Sequence, residues 1–170
     1  MHVFLKILLF AGFLVLPLPA GAQVSTPLPA AIAAPGEKTV ATFHAEGAQI
    51  YECKAGSDGK LTWQAREPIA TLLLNGETVG RHYAGPSWEH VDGSAVAAKV
   101  AARAPGATPN DIPWLRLEVT TQRGNGMLYG VTTVQRINTR GGVAQGPCDG
   151  AGAYQSVPYS ADYVFLSTGS

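Results

Sequence analysis

From Thr39 to the C-terminus, glycine-containing turns divide the chain into short alternating runs, a pattern that excludes most folds other than an antiparallel β architecture. The clearest run is Ile112–Gln122. Leu115, Leu117, Val119 and Thr121 face one way there, and Arg116, Glu118, Thr120 and Gln122 face the other, as in a strand buried on one side only. Asn75-Gly76, between Ile69–Leu74 and Glu77–Tyr83, is the strongest short hairpin signal. Glu46-Gly47 is a hairpin-compatible turn between Thr39–Ala45 and Ala48–Lys54, and Gly56-Ser57-Asp58-Gly59 leads into Lys60–Arg66. Arg123-Gly124-Asn125-Gly126 turns the chain into a β-rich run, Met127–Asn138. Gly141–Gly152 is a glycine-rich loop, and Pro158–Leu166 carries Tyr159, Tyr163 and Phe165 on one face. Ser94–Ala104 is alanine-rich and reads either as a short helix or as an edge strand. The expected fold is all-β: a single antiparallel β-sandwich or barrel of about eight to ten strands, with at most one short helix.

The N-terminal end reads as a signal peptide over residues 1–22. Lys6 precedes an apolar run, Ile7–Leu16, and Ala20-Gly21-Ala22 supplies a small-x-small cleavage pattern. That run stops at Pro17, short of the roughly 20 residues needed to span a bilayer, so no membrane span is expected after cleavage. The expectation is an exported protein, periplasmic or secreted. Residues 23–38 form a Pro/Ala-rich extended lead-in, and residues 39–170 a single β-rich domain. Acidic and basic residues balance at 12 each, with no Lys/Arg cluster, so nucleic acid and anionic membrane surfaces are poor partners. In an oxidising compartment Cys53 and Cys148 favour one disulfide, closing a loop of about 95 residues. The alternative, a catalytic thiol pair, would want Cys-x-x-Cys spacing or a nearby base. No cofactor is expected: Gly124-x-Gly126-x-x-x-Gly130 sits between strands and does not open a helix.

Chemistry concentrates in His82–Ser94. A chain reversal at Ala84-Gly85-Pro86-Ser87 sets Tyr83 opposite Trp88 and His82 opposite Glu89, with Trp88, His90 and Asp92 on one face of the second arm. The leading reading is a binding module for a small polar ligand or glycan. It would use His82, Tyr83, Trp88, Glu89, His90 and Asp92, with Arg136 and Tyr159 as further ligand contacts. The alternative is a hydrolase-like acid/base enzyme centred on His82 and Glu89, since a neighbouring carboxylate orients an imidazole and raises its basicity. A third reading is a structural or surface-interaction protein, in which Tyr83 and Trp88 pack and Asp92-Gly93-Ser94 forms a tight turn. No metal is expected, because His82, His90 and Asp92 match no usual ligand spacing. His44 reads as an ordinary strand residue.

Several blocks occur in an order that resembles a known family. They are Gly47-x-Gln49-Ile50-Tyr51-Glu52-Cys53, Gly80-x-His82-Tyr83-x-Gly85-Pro86-x-Trp88-Glu89-x-x-Asp92-Gly93-Ser94, Ile112-Pro113-Trp114-Leu115, and Val134-Gln135-Arg136-Ile137-Asn138-Thr139-x-Gly141-Gly142. Cys148 and Pro158-Tyr159-x-Ala161-Asp162-Tyr163-Val164-Phe165 complete the series. The series is similar to the secreted bacterial and fungal proteins grouped as domain of unknown function 3455, over about residues 40–166. The resemblance implies an exported β-rich domain and supports pairing the cysteines. It implies no established activity and carries over no catalytic residue.

Overall fold

The computed structural model describes residues 27–169, so the signal-peptide reading of residues 1–22 lies outside the described residues. Eight strands follow in chain order: β1 (Lys38–Ala55), β2 (Leu61–Leu74), β3 (Glu77–Tyr83), β4 (Ser87–His90), β5 (Ala95–Ala104), β6 (Trp114–Arg123), β7 (Thr133–Gly141) and β8 (Tyr154–Ser167). Each is antiparallel to the next, and β8 pairs with β1 from Lys38↔Ser167 to Glu52↔Tyr154, closing a barrel. Closure leaves no sheet edge. It also settles Ser94–Ala104. Ala95–Ala104 pairs with β6 from end to end and with β4 at Ala95, Val96 and Ala97, and this ladder overrides the helix preference of alanine.

Two pairs of runs read as separate are continuous strands. Glu46-Gly47 lies inside the long β1, where a Cβ on Gly47 would sit 2.0 Å from the Ile69 carbonyl oxygen. The glycine serves close strand approach, not reversal. Lys60–Arg66 and Ile69–Leu74 likewise join into one strand, β2, bulged at Arg66, because Ile50 pairs with Glu67 and Tyr51 with Ala65. Asn75-Gly76 does turn, with φ of 53° and 83°, as a type I′ hairpin requires.

The barrel interior holds Phe43, Leu72, Trp88, Val96, Leu115, Leu117, Val134, Tyr163 and Phe165, all buried. Met127–Thr132, expected as strand, is a loop whose buried Leu128 and Val131 close one end of this core. It is held by side chains: Gln122 Nε2 donates to the Val131 carbonyl at 2.7 Å, and Met127 N donates to Asp92 Oδ2 at 2.7 Å. A Cys53–Cys148 disulfide ties the long loop before β8 to the C-terminal end of β1.

A second, smaller core lies outside the barrel. Within the segment read as an extended lead-in, Ala30–Ile32 makes a 3-10 turn, and Ile32 is fully buried against Ala104 and Trp114. Gln135 Nε2 donates to the Ile32 carbonyl at 2.7 Å, and Glu37 accepts from the hydroxyls of Thr132 and Thr133. Strands β5 to β7 thus bury apolar surface on both faces.

Candidate functional site

The 82–94 corner differs from expectation by one residue of register. Ala84–Pro86 form the loop, so Tyr83 pairs with Ser87, His82 with Trp88, and Arg81 with Glu89. Gly85, at φ 115°, allows the shorter connection. A one-residue slip exchanges the faces of a strand. His82 and Glu89, expected as partners, therefore point to opposite sides of the sheet, and the acid/base pair they were to form is absent.

The inward half of the corner is packing. The imidazole of His82 stacks on Trp88 with centroids 4.5 Å apart and meets the edge of Tyr163 at 4.8 Å. Its Nδ1–H donates to the Ser87 carbonyl at 2.8 Å. Burial pushes the imidazole pKa down to about 3, and that carbonyl only partly offsets it. Such a ring is buried and stays neutral, which removes it from acid/base chemistry at neutral pH. His90 stacks on Phe43 at 5.7 Å.

Arg136 and Tyr159, expected as ligand contacts, also lie inside the barrel. Arg136 pairs with Leu115 and Tyr163, and its guanidinium donates from Nε and Nη2 to the Pro113 carbonyl at 3.1 and 2.9 Å. Tyr159 and Tyr163 hydroxyls lie 3.2 Å apart, and burial pushes both phenol pKa values up. Asp92 locks the corner. Its Oδ1 accepts from the Ser94 amide and hydroxyl at 2.9 and 2.6 Å, and Ser94 Oγ in turn accepts from Leu128 N at 3.1 Å. The Ser94 hydroxyl and the Met127 amide hold the Asp92 carboxyl well below the usual carboxylate range.

The outward half lines an open groove. Glu89 accepts from Arg81 at 3.0 Å and from the Tyr83 hydroxyl at 3.3 Å, and lies 3.3 Å from Arg123. Arg81 and its neighbours hold the Glu89 carboxylate below its ordinary range. The Arg81 guanidinium stands 5.2 Å from the centroid of the Tyr83 ring. Arg123 reaches Glu89 across Ala95, whose small side chain leaves the row open. The row extends further: Arg140, Ser160, Glu46, Thr71, Arg81, Glu89, Ala95 and Arg123 are successive cross-strand partners on the outer face. Sequence reading missed this belt because its members are scattered along the chain and only the register aligns them. A groove of about 790 Å³ follows part of the belt, bounded by Glu46, Gly47, Thr71, Arg81, Tyr83, Glu89 and Arg123. His82 borders it, although its ring is turned into the barrel.

A His–carboxylate pair does exist, at residues that sequence reading passed over. His44 Nδ1 lies 2.8 Å from Asp162 Oδ1, and Asn138 Nδ2 donates to Asp162 Oδ2 at 2.8 Å. Both contacts face a separate groove of about 770 Å³ over β1, β7 and β8. The one available signal was His44 on a strand and Asp162 on another, which means nothing until β1 and β8 are known to pair.

With this geometry in hand, the family model described as protein of unknown function (DUF3455) matches residues 34–76 and 73–167. The chain belongs to this family. The match confirms the resemblance read from the sequence blocks and assigns the DUF3455 domain no activity. No curated protein and no solved structure matches the chain.

Proposed function

We propose that this domain is a binding module for small, neutral, hydroxyl-rich ligands such as short glycans, held in the groove beside Glu89. The observation that carries the reading is the Arg81–Glu89–Arg123 arrangement at the rim of an open groove. Alternating donors and acceptors at this spacing suit the paired hydroxyls of a sugar, the carboxylate accepting and the guanidinium groups donating. Gly47 and Ile69 leave a low apolar floor for the C–H face of the ligand. Two arginines, Arg81 and Arg123, and two carboxylates, Glu46 and Glu89, line the groove, and this balance favours a neutral ligand over a charged one. Export to an oxidising compartment belongs to the same proposal and is supported by the disulfide.

Titration with neutral disaccharides such as cellobiose, followed by NMR, tests the reading. Resonances of Tyr83, Glu89 and Arg123 should move, and Glu89→Gln should weaken binding about tenfold, or ~1.4 kcal/mol. Equal affinity of Glu89→Gln and wild type would remove this groove from consideration.

A further inference from the structure

We propose that His44, oriented by Asp162, is the general base of a separate site that hydrolyses esters of small hydroxyl-rich compounds, in the groove over β1, β7 and β8. His44 and Asp162 are directly paired across β1 and β8, and the Nδ1–Oδ1 distance is 2.8 Å. The second carboxylate oxygen is held by Asn138. With both oxygens engaged, Asp162 fixes the ring: Nδ1–H donates to it, and Nε2 is left with its lone pair.

The site is built by a departure from regular structure. Ile137 pairs with Asp162 and Arg140 with Ser160, so β7 carries one extra residue between them. Asn138 takes φ 52° there, a conformation that a plain ladder would avoid. The bulge does two things. It turns the Asn138 amide onto Asp162, and it reverses the alternation of β7. Arg140 then emerges on the outer face beside Ser160, where unbroken alternation would turn it inward with Arg136. Among the described residues Arg140 forms no ion pair. Trp114 supplies a flat wall, and its buried indole N–H has no partner.

The chemistry closes without a cofactor. Water bound in the groove gives a proton to His44 Nε2 as its oxygen attacks the acyl carbon. Arg140 faces the oxyanion of the tetrahedral intermediate. The C–O bond to the alcohol breaks, and the departing alkoxide takes the proton back from Nε2. Ester and water become carboxylic acid and alcohol. The charged groups around the imidazole are Asp162 on β8, Glu46 on β1 (Oε1 3.6 Å from Nε2), Arg140 on β7 and Asp111 in the loop before β6.

The test is hydrolysis of 4-nitrophenyl acetate and of an acetylated monosaccharide by the folded chain across a pH series. Wild type should exceed free imidazole at equal concentration, and His44→Gln should lose about a hundredfold. Asp162 and Asn138 are positioning residues. Asp162→Asn, which keeps the side-chain shape but takes away the full carboxylate acceptor, should lower kcat with little change in KM. Asn138→Gly, which keeps the left-handed backbone, should lower kcat with little change in KM. A His44→Gln variant as fast as wild type, or a wild type no faster than imidazole, overturns the proposal.

Discussion

At the scale of single residues, the most consequential group is a histidine that does no proton chemistry. His82 is sandwiched by Trp88 and Tyr163, and its imidazole titrates near about 3 against 6.5 for an unburied ring. Between those values only the unfolded chain takes up the proton, so stability falls as the pH drops through that window and levels off below it. From about pH 7 to about pH 5 the loss should be on the order of 2 kcal/mol. The Asp92 and Glu89 contributions, both from lowered carboxylate pKa values, fade only at more acidic pH. Urea unfolding at the two pH values isolates the imidazole. His82→Gln should show a much smaller difference, and a difference equal to wild type would mean that another group carries the effect.

Elements here are defined by what covers them. Strand β6 has Leu115 and Leu117 facing the barrel, yet Trp114 on its other face is also buried, because Ile32 packs on it. The residues before β1 therefore belong energetically to the domain. Ile32→Ala should cost about 2–4 kcal/mol, the usual range for emptying a buried aliphatic site. Thermal unfolding measures this, and an unchanged Tm would show that the segment only rests on the surface. The long β1 makes a related point. A glycine at its centre suggests a turn in isolation, while in the sheet it permits the close approach of β2 at Ile69.

At the scale of the whole molecule, closure makes every strand central, and both outer grooves lie on β1, which contributes Glu46 and Gly47 to one and His44 to the other. The disulfide spans a sequence separation of 95 residues and holds the loop before β8. In the chain-entropy description such a bridge stabilises by about 4–5 kcal/mol, often less in practice. The Cys53→Ser/Cys148→Ser double variant should unfold at correspondingly lower urea. Hydrogen exchange should accelerate in the strands in step with the lost global stability and beyond that in residues 142–153, and no extra acceleration in 142–153 would contradict a local role for the bridge.

Alternation and turn chemistry alone determine much of this protein. They specify an all-β antiparallel domain, the Asn75-Gly76 hairpin, the inward face of β8 and the concentration of polar and aromatic side chains over residues 82–94, because these are local properties of the backbone and its side chains. The decisive matters are non-local. Whether Pro86 or Ser87 ends the loop moves His82 from the groove into the core, and whether β8 meets β1 decides that His44 has a carboxylate partner. Glycine looks the same to local reading whether it turns a chain or lets two strands approach, and only the neighbouring strand tells them apart. The belt from Arg140 to Arg123 exists for the same reason: register across eight strands, set by closure of the barrel, assembles what the chain keeps apart.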